Sequence, residues 1–260
     1  MSGRPAVSLA LMTCHDFLLY ASQDYGATAR PARIIGNYAL MYALNRHIPG
    51  IRRVTSLSTP FYGEDLPMMQ TYATPAAHVD DFPYYQSGSA RRWLSHQIQV
   101  GGSVSGSWRH GDPVMITWNS IGESLLDKME QDSLNIPKVG AYYRYPPLTT
   151  YYFYSVGGDL PRLVRIGKKY IPARISTTEL EVEERTGVFQ PTCPVTVADL
   201  PDDTMIRSGS LLTVPPSPVL IGAELEGRYL ECKDPEGLIH RLPAPKTDIY
   251  RSVWGGKMVS

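Results

Sequence analysis

The run AVSLALMTCHDFLLYA, Ala6 to Ala21, and the stretch PARIIGNYALMYALNR that follows it constrain the fold more than any other part of the chain. The first run mixes apolar alternation with continuous apolar stretches, which predicts a well-buried strand with a turn or bulge near His15-Asp16. In the second, Pro31 suits a first helical turn, Ile34, Tyr38, Met41 and Tyr42 recur at helical spacing, and Pro49-Gly50 stops the helix. The chain is thus expected to open with a strand followed by a helix. The 260 residues, 43% of them hydrophobic, supply enough apolar surface to build a core.

Roughly Thr55 to Asn119 reads as an irregular insert rich in Pro, Gly, Ser and aromatics. Within it RRWLSHQIQV and PVMITW predict strands, joined by the Gly/Ser-rich VGGSVSGSWRHGDP as the tip of a long hairpin. Inserts of this size more often carry function than stability. GESLLDKMEQ predicts a helix, and LTTYYFYSVGG and LPRLVRIGKKYIPARI predict an antiparallel pair turning at Gly157-Gly158-Asp159. From Gly187 the chain is Pro-rich with short strands such as SLLTVP, PVLIGAEL and GRYLECK, so we expect a domain over residues 1–186, including the insert at about 55–120, and a small β-rich subdomain over 187–260.

Lys plus Arg equals Asp plus Glu at 25 each, so net charge argues neither for nor against nucleic acid. Distribution says more. Seven basic residues and one acid lie between Lys138 and Arg174, whereas Glu179 to Glu184 holds four acids. Three cysteines, Cys14, Cys193 and Cys232, stand far apart without a C-x-x-C pairing, which fits a reduced, cytoplasmic setting. No apolar run reaches the roughly 18 residues of a membrane span, so no membrane partner is expected.

The local basicity sits on LPRLVRIGKKYIPARI, Leu160 to Ile175, which reads as a strand. Alternation puts Val164 and Ile166 on one face and Leu163, Arg165 and Lys169 on the other. Charges facing water on an exposed edge explain this equally well. Gly167 weakens a strand unless something must come close to the backbone there, and phosphate is one such group. Nearby, TTYYFYSV places Tyr151, Phe153 and Ser155 on one face and Tyr152 and Tyr154 on the other, which predicts an aromatic row on the open side of the sheet. Aromatics beside Arg and Lys are how single-stranded RNA is held, although the same residues also pack cores and interfaces.

Enzyme signatures are missing. Gly167 to Lys169 lacks the spacing and the Ser/Thr of a P-loop, and there is no H-E-x-x-H, G-x-S-x-G or zinc-deaminase signature, so no metal or cofactor is expected. Of six histidines only His15, beside Asp16 and Tyr20, has the look of a general base, and adjacent strand residues face opposite ways unless a bulge intervenes.

Four stretches in order, HDFLLYASQDYG, IIGNYALMYAL, TYATPA at Thr71 to Ala76 and LPRLVRIGKKYIPARI, resemble the type I-D CRISPR effector subunit of the Cas-five group, over about residues 9 to 176. The tail after Thr186 and the insert from Phe82 to Asp112 carry no matching motif. The resemblance implies an α+β fold, a ferredoxin-like (RRM-like, RAMP) core with an inserted hairpin or thumb and a C-terminal β-rich extension. It also implies a subunit that caps the 5′ handle of the crRNA between the large subunit and the backbone subunits without cutting RNA. On that reading Arg165, Lys168, Lys169 and Arg174 contact phosphates, Gly167 admits the RNA backbone, Tyr170 or Tyr152 stacks a base, and Asn37 with Tyr38 supports them from the helix. Arg91, Arg92, Trp93, Trp108 and Arg109, around the thumb, would touch target DNA near the PAM or a protein partner. Two other readings stay open: a metal-independent RAMP endoribonuclease with His15 as base, and a purely structural interaction subunit.

Overall fold

Val7 to Cys14 forms the first strand, β1, and all but two of its eight residues are buried. The structure is a computed structural model that describes residues 6–20, 23–24, 28–30, 33–51, 60–81, 114–119, 139–167, 170–214, 216–246, 249–250 and 252–253. After β1 come β2 (Gln23–Asp24), β3 (Thr28–Arg30), β4 (Ile34–Ile35), helix α1 (Asn37–Leu44), the short helix α2 (Tyr62–Asp65), β5 (Thr71–Ala73) and β6 (Ala76–His78). Strands β7 (Val114–Asn119), β8 (Val139–Arg144), β9 (Thr150–Gly157), β10 (Leu163–Ile166) and β11 (Ile171–Phe189) follow. The chain then adds β12 (Val195–Thr196), β13 (Met205–Leu212), β14 (Val219–Lys233) and β15 (Ile239–Pro243).

Among the described residues, 11 strands join one sheet along the path β12-β14-β11-β1-β9-β6-β4, with β10, β13, β15 and β5 attached beside it. A second sheet runs β2-β3-β8-β7, and its β3–β8 pairing is the one parallel contact described. The fold is therefore mixed, mostly antiparallel sheet with few helices. No described helix is long and apolar enough to cross a membrane.

Three expectations are corrected. The strand predicted from LTTYYFYSVGG does not pair with the basic run: β1 lies between them, with Leu11 opposite Tyr152 of β9 on one side and Ser176 of β11 on the other. The basic run is itself two strands, β10 and β11, folded back on each other. Helix α1 begins at Asn37 rather than near Pro31, which lies outside the described residues, because Ile34-Ile35 pairs with Ala76-Ala77 and Gly36 holds an extended ψ of 138°.

Part of the expected insert is core. Thr71 to Val79 is buried throughout, its alanines letting β5 and β6 lie against β9. PVMITW does contain a strand, β7, while RRWLSHQIQV, the Gly/Ser-rich connection and GESLLDKMEQ lie outside the described residues.

The aromatic row is also covered. Tyr151, Tyr152, Phe153 and Tyr154 are all 2% exposed or less, because β9 is a central strand with both faces packed. On one face Tyr151 meets His78 and Tyr145 edge-on. On the other, the Tyr152 hydroxyl donates to the Thr192 carbonyl at 3.4 Å, and the Tyr154 hydroxyl lies 2.9 Å from His240 Nδ1. Tyr152 therefore has no surface on which a base could stack.

PVLIGAEL and GRYLECK form one strand, β14, and β11 runs without a break across residue 186 to pair with it. Leu230, Cys232, Leu242, Tyr250 and Val253 join the same core as β1 and β9, while Phe189, Leu220, Leu225 and Tyr229 centre a second cluster.

Asn45 fastens α1 to the sheet. Its amide donates to the Met41 carbonyl at 2.9 Å and the Thr71 carbonyl at 2.8 Å, and its oxygen accepts from the Gln70 and Thr71 amides, both at 3.0 Å. The side chain is fully buried. Asn45→Ala should therefore lower stability by about 2 kcal/mol, since it strips partners from buried backbone groups; urea unfolding checks this, and an unchanged midpoint would mean that water replaces the amide.

Candidate functional site

The β10–β11 hairpin follows from its alternation. Leu163 lies opposite Arg174, Val164 opposite Ala173, Arg165 opposite Pro172 and Ile166 opposite Ile171. Val164, Ile166, Ile171 and Ala173 are buried, each large one contributing roughly 2 kcal/mol of hydrophobic stabilisation, whereas Leu163, Arg165 and Arg174 point outward. The expected division of faces on this strand is the observed one. Lys168 and Lys169 lie outside the described residues.

The turn needs Gly167. Its φ is +76°, and a Cβ there would sit 2.8 Å from the Leu19 carbonyl oxygen and 2.9 Å from Leu18 Cδ1. The close approach expected at this glycine is thus made by the chain's own backbone, which paired hydrogen bonds between Leu18 and Tyr145, at 2.9 and 3.0 Å, hold in place. Tyr170 closes the turn with its amide donating to the Gly167 carbonyl at 3.1 Å and a φ of +51°. That left-handed conformation costs a non-glycine residue about 1–2 kcal/mol. Arg165 Nη1 donates to the Tyr170 carbonyl at 3.1 Å and steadies it, while the Tyr170 ring stays exposed.

Arg46, just past the end of α1, places its guanidinium carbon 5.7 Å from the Tyr170 ring centroid. From the other side, β1 ends at the hairpin: Thr13 is opposite Arg174, and the His15 amide donates to the Pro172 carbonyl at 2.9 Å. Among the described residues, none of Arg46, Arg162, Arg165 and Arg174 has a carboxylate within ion-pair distance. One end of the sheet is therefore basic, uncompensated and topped by an exposed aromatic ring. Asp16 does not orient His15; its carboxylate accepts from the Phe17 amide at 2.6 Å, and the Tyr20 hydroxyl donates to the Ile34 carbonyl at 2.5 Å.

Asn37 and Tyr38 do not belong to this surface. Both are buried around Asp199, whose carboxylate accepts from Asn37 Nδ2 at 2.5 Å and from the hydroxyls of Tyr38 at 2.9 Å, Tyr250 at 2.6 Å and Tyr72 at 3.3 Å. Thr196 completes the cluster by donating to Asn37 Oδ1 at 2.8 Å. Burial pushes the Asp199 carboxyl up to about 6 despite these donors, and burial together with the carboxylate raises the tyrosines. A second buried chain links Thr192, Tyr154, His240 and Asp234, with burial lowering the His240 imidazole. The three cysteines are buried and pushed up to about 12, which leaves them unreactive.

Arg91, Arg92, Trp93, Trp108 and Arg109 lie outside the described residues. The sequence reading missed Arg46. Its one signal was a basic residue next to a helix end, and nothing in the sequence tied that helix end to the turn at Tyr170.

A chain of the Type III-B Cmr-beta complex, solved by cryo-EM bound to cognate target RNA and AMPPnP, resembles this one over 84% of this chain and 86% of that chain, with 10% identity and a TM-score of 0.44. No curated protein matches the chain. The family model described as Type I-D CRISPR-associated protein Cas5/Csc1 matches residues 6–247. That span runs from the edge of β1 to beyond β15 and so takes in the insert and most of the tail, where the sequence showed no recognisable motif. With nearly the whole chain matched, the protein belongs to the type I-D CRISPR-associated Cas5/Csc1 family.

Proposed function

We propose that the chain is a non-catalytic subunit of a type I-D CRISPR effector complex that holds the 5′ handle of the crRNA on the β10–β11 end of its sheet. There it would join the large subunit to the backbone subunits, with the thumb reaching target DNA near the PAM. The observation that carries the reading is the basic edge of Arg165 and Arg174 beside exposed Tyr170, with no carboxylate partner among the described residues. A surface of one charge sign beside an aromatic suits phosphates and unpaired bases. We read the sheet as an elaborated ferredoxin-like core of the RAMP kind, supported by β1 at its centre between antiparallel β9 and β11 and by α1 following it.

The test is salt dependence. Replacing Lys168, Lys169 and Arg174 together with Ala should flatten the log–log salt dependence of single-stranded RNA binding by about 0.7 per lost contact, roughly 2 in all. Stability should hardly change, because Arg174 is exposed. An unaltered slope would mean that these charges only face water.

One observation favours a purely protein-binding subunit. Met205, Ile206 and Leu211 of β13, with Ile221 and Val188 beside them, are 40% to 62% exposed, an apolar surface of the kind partner chains cover. Co-expression with the other effector subunits separates the readings, since only the first requires RNA to co-purify at the hairpin.

A further inference from the structure

We infer that Arg46 and Tyr170 form a seat for one unpaired RNA base, and that Arg165 is a positioning residue for that seat rather than a phosphate contact. The inference rests on the reading of the β10–β11 edge as an RNA surface and assigns the roles within it.

Tyr170 is unusual in two ways at once. Its backbone is left-handed, where glycine or asparagine would serve the turn with less strain, and its large ring is 48% exposed, where it adds little to the core. Strained, exposed side chains of this kind cluster at functional sites, and this ring stands where a base can reach it. Tyr170 is held at its backbone and over one part of its ring. Arg165 Nη1 and the Gly167 carbonyl fix its backbone, and Arg46 lies over the ring at 5.7 Å.

Arg46 projects from a fixed backbone, because it follows Asn45, whose side chain makes one hydrogen bond within α1 and three to Gln70 and Thr71 at the start of β5. A guanidinium and an aromatic ring thus meet from two elements, the end of α1 and the β10–β11 turn. Splayed-out bases stack on aromatic rings and guanidinium planes, and the contact tolerates any base because every base presents a π-face. A base entering from the hairpin side would stack on the part of the Tyr170 ring that Arg46 does not cover, while Arg174 and Arg162 remain available to the flanking phosphates. Arg165 is already engaged with the Tyr170 carbonyl, and its loss would act through the ring. Protein is the weaker occupant, because the surroundings are basic and, apart from Tyr170 itself, Leu163 is the large exposed apolar side chain at this end of β10 and β11 among the described residues, whereas the centres of protein interfaces are depleted in charge.

The experiment uses the full chain and a short single-stranded RNA carrying a fluorescent adenine analogue at successive positions, with DNA of the same sequence as a second arm. The wild type and Tyr170→Trp should quench the analogue at one position, more strongly in RNA than in DNA. Tyr170→Gly should abolish the quenching and weaken binding about tenfold with the salt slope unchanged, and should melt no lower than the wild type. Arg165→Ala should resemble Tyr170→Gly, losing quenching with little change of slope. Arg174→Ala should keep the quenching and lose about 0.7 of slope.

If Arg174→Ala loses slope but Tyr170→Gly still quenches, the seat is wrong and the RNA surface stands. If no variant alters slope or quenching, both fall. Should Tyr170→Gly leave RNA contact intact yet prevent co-purification of other effector subunits, the pair is a protein contact and the inference is overturned.

Discussion

Asp199→Ala is expected to lower the unfolding free energy by about 4 kcal/mol in mildly acidic buffer, since four buried donors lose their acceptor at about 1 kcal/mol or more each. Those donors come from α1, β5 and the segment near the C-terminus, so one carboxyl ties together parts of the chain more than 150 residues apart. The loss should shrink towards neutral pH. The folded-state value of about 6 lies above the ordinary 3.8, so the folded protein binds the proton more tightly than the unfolded chain does. The resulting stabilisation is complete below 3.8 and is lost as pH rises through about 6, by up to about 3 kcal/mol for a rise of that size. Urea unfolding of wild type and variant across this window tests both statements. A wild-type advantage that grows from acid to neutral pH would mean that the carboxylate, not the acid, is the favoured buried form.

Local pattern was legible in the sequence and long-range pairing was not. The alternation of Val164 and Ile166 with Leu163 and Arg165 gave the correct faces, and the apolar run from Val7 gave a buried strand. Periodicity cannot report which strands become neighbours. TTYYFYSV therefore looked half open, when β1 on one side, β5 and β6 on the other, and the C-terminal segments over one face enclose it. The same limit hid the Asp199 cluster, whose members are separated by most of the chain and individually unremarkable. Asn37 and Tyr38 were expected to support the RNA surface from the helix, but both are buried and their partner is Asp199. Arg165, Arg174 and Tyr170 were legible because a hairpin keeps sequence neighbours together in space, whereas Arg46 arrives from α1 by tertiary packing alone.

Gly167→Val is expected to destabilise the free protein by at least about 3 kcal/mol, combining a left-handed backbone forced on a β-branched residue with overlap against packed atoms. The added Cβ would lie 2.8 Å from the Leu19 oxygen and 2.9 Å from Leu18 Cδ1. Neither neighbour can yield easily, because Leu18 is fully buried and bonded in both directions to Tyr145. The turn would have to shift, carrying with it the Gly167 carbonyl that receives the Tyr170 amide. RNA affinity should then fall through the displaced ring while the salt slope holds, since no charge is removed. Gly167→Ala should show a smaller version of the same loss, because it already carries the offending Cβ but lacks the branched methyls. Thermal unfolding of the RNA-free chain is the deciding measurement. If Gly167→Val melts with the wild type and yet binds RNA weakly, the glycine serves an approaching RNA backbone, and the contact with Leu18 and Leu19 is not what requires it.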